Sequence, residues 1–228
     1  MSSAAPEHIE RGQAVYARLE QAFGLPAWGE PSPPMDELVS TMLSQNTNDR
    51  NRDMAFQRLR QRFPTWEEVR DADPAEVIEC VRIAGLANQK GPRIQEVLRQ
   101  ISAERGSLDL AFLKDMPDAE ALAWLTRFKG VGPKTASIVL VFSLGKPAFP
   151  VDTHVYRVSG RIGLRPENIT VEQAHIYLAE VLRPAQYGPG HLNLIRLGRE
   201  ICHARKPECH RCPLTDLCGA YQSGKAPA

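Results

Sequence analysis

Apolar positions recur at helical spacing almost from end to end of this chain, and alternating strand patterns are nearly missing. The segment HIERGQAVYARLEQAF predicts one helix, and PPMDELVSTMLSQ predicts another after the break at Pro31, Pro33 and Pro34. In RNRDMAFQRLRQRF, Met54, Phe56, Leu59 and Phe63 share a broad apolar face. Thr65 with Glu68 reads as a capping box, in which hydroxyl and carboxylate each satisfy an orphan N–H. Asp73-Pro74 reads as an N-cap followed by proline at the first helical position, and Gly85 as the end of that helix. Helical patterns continue through NQKGPRIQEVLRQISAERG, DAEALAWLTRF, PKTASIVLVFSL and THVYRVSGRIG. Thr170 with Gln173 opens TVEQAHIYLAEVL as a second capping box. SIVLVFSL has strand composition, but it continues a helix start at Pro133 and is assigned to a buried helix. The expected class is all-α, ending in a frayed tail, QSGKAPA.

Composition narrows this picture. At 228 residues the chain suits one large domain or two small ones, and its 43% hydrophobic residues support a packed core. Lys and Arg number 28 against 27 Asp and Glu, so a polyanionic partner would have to meet local charge. Arg196, Arg199, His203, Arg205, Lys206 and Arg211 form one basic stretch, readable as a phosphate-facing surface or as a solvated face. MSSAAPEHIERGQ lacks the apolar centre of a signal peptide, and no apolar run is long enough to span a membrane. A cytoplasmic protein with reduced thiols is expected.

Reduced thiols give the cysteines their meaning. Cys202, Cys209, Cys212 and Cys218 stand as C-x6-C-x2-C-x5-C. Structural zinc usually takes two knuckles a dozen or more residues apart, whereas only Cys209 and Cys212 form such a pair here. A larger cubane can take its ligands from one short wrapping loop. The spacing favours iron–sulfur and leaves zinc open. Cys80, within VIECVRIAGL, reads as a buried small hydrophobe.

A second constellation is RFKGVGPKTASIVL. The turn Gly130-Val131-Gly132 allows positive φ and leaves N–H groups bare beside a helix start, a setting that suits an anion. A plain joint between two packed helices is the other reading. Lys134 follows in the first turn, where a positive charge opposes the helix dipole and burial would disfavour the ammonium further. Both favour the neutral amine that a Schiff-base nucleophile needs. From Pro133 to Leu144 a helix rises roughly 17 Å, and Gly145 to Val151 can span roughly 23 Å. Asp152 can therefore return to the lysine. Otherwise Asp152 is an N-cap of THVYRV and Lys134 a solvated or phosphate-contacting lysine.

GVGPKTA, then PVDTHVYRV, then the cysteine array together resemble the endonuclease III family of helix-hairpin-helix DNA glycosylases, from about Asp36 to Cys218. The resemblance implies one 4Fe–4S cluster on the four cysteines. It also implies two helical lobes with DNA in the groove between them. Residues 33–144 would form a six-helix barrel containing the hairpin at about 118–144. Residues 1–32 with 145–228 would form a discontinuous lobe bearing the cluster loop, 202–218. The implied activity is base excision repair: a bifunctional glycosylase and AP lyase releasing oxidised or damaged pyrimidines. Lys134 would form the Schiff base, Asp152 would assist, and β-elimination would cut 3′ to the abasic site.

The implied partner is double-stranded DNA carrying a damaged pyrimidine or abasic site, bound by a monomer with no membrane attachment. Gln45 or Asn46 in LSQNTND would fill the gap left by a flipped base, and Leu86 in IAGLANQK would wedge beside it; otherwise Gln45 and Asn46 cap a helix end and Leu86 packs as a staple after the glycine. Lys129, Gly130, Val131 and Gly132 would contact the DNA, as would Arg205, Lys206 and Arg211; Lys90 reads as a phosphate contact or as a simply solvated lysine. The chain departs from the family in three places. Asn46 takes a glutamine position, Phe128-Lys129 replaces Leu-Pro, and Thr126 replaces an acidic residue. His154 is expected to bond within the active-site loop or fill the helix start, and His191 to orient the helix leading to the cysteines. Lys134 argues against an adenine- or thymine-mispair glycosylase of the same superfamily. Lys134 with Asp152 argues against a non-catalytic DNA-binding scaffold.

Overall fold

The structure, a computed structural model, describes residues 4–27 and 29–226. The helices are, in chain order, α1 (Pro6–Phe23), α2 (Pro34–Leu43), α3 (Asp49–Arg62), α4 (Trp66–Asp71), α5 (Pro74–Val81) and α6 (Ala87–Arg105). They continue as α7 (Asp118–Thr126), α8 (Pro133–Ile138), α9 (Thr153–Ile162), α10 (Val171–Val181), α11 (Tyr187–Glu200) and α12 (Gly219–Gln222). The fold is all-α: no strand occurs among the described residues, and none of their helices is long and apolar enough to cross a membrane. The chain divides into two compact units. One is Pro31–Lys146, holding α2–α8; the other takes α1 and everything from Pro147 onward, with α9–α12.

Local chemistry sets the helix starts. Thr65 Oγ1 accepts from Glu68 N–H at 3.2 Å while the Glu68 carboxylate accepts from Thr65 N–H at 3.0 Å. Thr170 and Gln173 do the same at 3.2 and 2.8 Å. Both expected capping boxes therefore form. Asp73 caps α5 through Ala75 N–H, with Pro74 at the first turn. That helix stops at Val81, and a 3-10 turn, Arg82–Ala84, intervenes before Gly85 turns the chain at φ 68°.

Four details differ from the sequence expectation. The buried stripe of α3 runs through Ala55 and Leu59, with Met54 and Phe56 only half-buried. Cys80 is half-exposed rather than buried. α8 keeps α-helical geometry only to Ile138 and widens into a π-helix over Val139–Ser143, a form frequent at functional sites. The tail folds back, Ala226 N–H donating to the Ala220 carbonyl at 2.9 Å. The last two tail positions, Pro227 and Ala228, lie outside the described residues.

Each unit has its own core. Leu38, Leu43, Leu59, Ile94, Leu98 and Leu125 are fully buried in the first; Phe149, Val155, Val158 and Leu178 lie at the centre of the second. Replacing Thr65 by Ala removes one half of a capping box. The expected loss is about 1 kcal/mol of unfolding free energy, read from urea titrations followed by circular dichroism.

Candidate active site and metal centre

The turn between α7 and α8 is built by backbone. Val131 N–H closes onto the Phe128 carbonyl at 3.0 Å, and Gly130 sits at φ 96°, a region that favours glycine. Phe128 and Val131 are buried, so the apolar half of the turn anchors it and Lys129 projects into solvent. The N–H groups of Gly130 and Gly132 have no partner among the described residues. Lys134, half-exposed in the first turn of α8, likewise has none. A free amine thus stands beside bare amide donors.

Two loops of the same unit carry the residues expected to enter a base stack. Asn46 is exposed and left-handed, at φ 53°, a conformation asparagine tolerates. Leu86 is 49% exposed and also left-handed, at φ 51°. An apolar, solvent-facing residue in that region stores backbone strain, a trait that clusters at functional sites. Gln45 is different. Its Nε2 donates to the Gly130 carbonyl at 2.9 Å, so its amide braces the hairpin rather than projecting as an insertion residue.

Lys90 corrects the expectation of a phosphate contact. Its side chain is 5% exposed, and Nζ donates to the carbonyls of Leu43 at 2.7 Å and Ala84 at 2.8 Å. Burial holds its pKa below the usual lysine range. Ammonium or neutral amine, the nitrogen keeps at least two N–H donors for those carbonyls. The two carbonyls lie directly upstream of the Ser44-Gln45-Asn46 and Gly85-Leu86 segments. One buried nitrogen therefore ties both insertion loops to α6.

In the other unit, Asp152 is the N-cap of α9: Oδ1 accepts from Val155 N–H at 2.7 Å. Two buried histidines hold the approach to it. His175 Nδ1 donates to the Phe149 carbonyl at 3.0 Å and His191 Nδ1 to the Pro150 carbonyl at 2.9 Å. His191 thus bonds to the aspartate loop, where orientation of the helix leading to the cysteines is expected. His154 Nδ1 accepts from Arg157 at 3.1 Å.

α9 also grips the cysteine segment. Arg157 donates to the carbonyls of Gly198 at 2.9 Å and Cys202 at 3.1 Å. Arg161 donates to the carbonyls of His203 at 2.6 Å and Ala204 at 2.8 Å, and to Cys202 Sγ at 3.4 Å. Cys202, Cys209, Cys212 and Cys218 all line one apolar cavity, with Leu197 and Leu214 behind them. Among the described residues no three His, Cys, Asp or Glu side chains are grouped to hold one metal ion. The four thiols are brought to one cavity. Burial, and then the neighbouring thiols, push the Cys209 thiol up; burial first, with smaller help from those thiols, does the same at Cys212. Four thiolates there need a cationic core to compensate them.

The basic stretch is less free than its composition suggests. Arg211 pairs with Glu208 at 2.8 Å and Arg196 with Glu200 at 3.0 Å. Arg205 and Lys206 are exposed and have no partner among the described residues, Lys206 at φ 51°.

Residues 39–184 match the family model of HhH-GPD superfamily base excision DNA repair proteins, and residues 202–218 match the iron–sulfur binding domain of endonuclease III. Endonuclease III of Thermotoga maritima is 34% identical over 189 residues, covering 83% of this chain and 84% of that protein. The chain belongs to the endonuclease III family. A protein of Arabidopsis thaliana named as a DNA glycosylase is 38% identical over 144 residues, 63% of this chain, and the match spans 49% of that relative. A solved non-covalent endonuclease III–DNA complex shares the fold at TM-score 0.80 and 24% identity, covering 95% of this chain and 97% of that one. The chain is thus a base excision repair DNA glycosylase by family, and the match at 202–218 identifies its cofactor as a 4Fe–4S cluster.

Within that family frame, the residues that sequence reasoning missed are braces: Arg157, Arg161 and His175. Their partners are carbonyls distant in sequence, so no local pattern marks them. Two predictions follow from this geometry. Lys90→Met leaves the Leu43 and Ala84 carbonyls buried without a donor, at about 1–3 kcal/mol each; urea unfolding is expected to register a loss of ~2 kcal/mol or more. Wild type is expected to carry iron and sulfide and Cys212→Ser to lose both, measured by elemental and acid-labile sulfide assay.

Proposed function

We propose that this protein is a bifunctional glycosylase and AP lyase acting on damaged pyrimidines and abasic sites in duplex DNA. The observation that carries the reading is Lys134: an amine without a partner, one residue into the helix that follows a glycine turn with bare N–H groups. Exposed Asn46 and strained Leu86 support extrusion of the base, since a flipped nucleotide leaves a gap that a side chain must fill.

The chemistry follows from those groups. The Lys134 nitrogen attacks C1′, and the bond from C1′ to the base breaks, the base leaving with the electron pair and taking a proton. Asp152 supports the positive charge that develops on the sugar, using the carboxylate oxygen not engaged as helix cap. Opening of the sugar ring yields an iminium at C1′. Loss of a C2′ proton then expels the 3′ phosphate by β-elimination, and water releases the lysine. Cys202, Cys209, Cys212 and Cys218 would hold the 4Fe–4S cluster, which when bound would supply a cross-link for the loop. Arg205 and Lys206 remain as its phosphate-facing charges.

Borohydride reduces the iminium and freezes enzyme on DNA. With a thymine-glycol duplex, wild type is expected to give a covalent adduct and Lys134→Ala none. Equal trapping of the alanine variant would remove Lys134 from this role. Asp152→Asn is expected to slow base release by at least ~100-fold, in line with loss of a positioned carboxylate.

A further inference from the structure

Arg93 lies outside every motif so far described. It sits on α6 one turn after Lys90, and its side chain is laid across the hairpin. A Cβ built on Gly130 would fall 2.1 Å from Arg93 Cδ, 2.9 Å from Cγ and 3.1 Å from Nε. Glycine is favoured at 130 by its φ of 96°, and any side chain there would have to displace this arginine. The contact fixes the methylene stem, so the guanidinium reaches the turn with much of its rotamer entropy already spent.

Its charge has no carboxylate to answer it. In the same unit Arg52, Arg62, Arg70, Arg82, Arg99 and Arg127 each pair with an Asp or Glu, whereas Arg50, Arg58, Arg60 and Arg105, like Arg93, do not among the described residues. Arg93 is half-buried and has no hydrogen bond or ion pair among the described residues. The Gly130 carbonyl beside it already accepts from Gln45. The open donors at the turn are the N–H groups of Gly130 and Gly132 and the Arg93 fork. An anion with several oxygens suits these donors and answers the arginine's charge.

We infer that Arg93 is a ligand for a backbone phosphate of DNA at the hairpin, supplied from α6 and acting beside the bare glycine N–H groups. The inference rests on the reading of duplex DNA as substrate. A planar fork held at a backbone turn recognises phosphate by two parallel donors, which a lysine cannot reproduce. Arg93 thereby takes the place in which Lys90, sealed inside the unit, is expected from sequence.

Fluorescence anisotropy of a duplex carrying a stable abasic-site analogue, titrated with the full chain over a range of salt, tests this. Arg93→Met keeps the stem over Gly130 and removes the charge. One lost phosphate contact is expected to lower the slope of log K against log salt by about 0.9, and to weaken binding roughly eight-fold near ~0.1 M salt. Arg93→Lys is expected to restore most of the slope while binding more weakly than wild type. Should the methionine variant melt early, Arg93→Gln reads the same slope. A wild-type slope in folded Met or Gln variants would overturn the inference and leave Arg93 as a cover for Gly130. Absence of salt-dependent duplex binding by wild type itself would instead overturn the glycosylase reading beneath it.

Discussion

The Lys90 nitrogen, sealed beneath two carbonyls, is the interaction on which the loops of one unit depend. The end of α2 and the 3-10 turn after α5 both leave carbonyls without helical partners, and both are buried. Water could satisfy them only by entering an apolar interior. A lysine on α6 does so instead, and the cost of burying its ammonium is offset by two short hydrogen bonds. The next residues in each loop then adopt left-handed backbone, at Asn46 and Leu86, which the chain would not choose unaided. Gln45 extends the same frame to the hairpin through the Gly130 carbonyl, and Arg93 closes over that glycine from α6. Two loops and a turn are thus referred to one helix.

The second unit uses the same device with different residues. Asp152 is capped onto α9, and His175 and His191 take the two carbonyls that precede it by two and three residues. Farther along α9, Arg157 and Arg161 take the carbonyls of the segment entering the cysteine loop. One helix therefore bears Asp152 at its start and grips the cysteine segment farther along.

Much of the fold was legible from short-range pattern. Capping boxes at Thr65 and Thr170, the glycine turn before Lys134 and the spacing of four cysteines all act within a few residues, so the order of the residues determines them. The all-α class follows from periodicity, and the amine at 134 and the thiols at 202–218 follow from residue type alone.

Tertiary structure decided where polar side chains spend their donors. Lys90 reads as a surface cation, yet one of its partners lies 47 residues away; Gln45 reads as an insertion residue, yet its partner lies 85 away. Arg157 reaches across 45 residues and His191 across 41. Whether a donor faces solvent or a buried carbonyl depends on which backbone groups packing leaves unsatisfied. That is settled only when the helices assemble, because a carbonyl freed at one helix end has no signature at the distant residue that answers it.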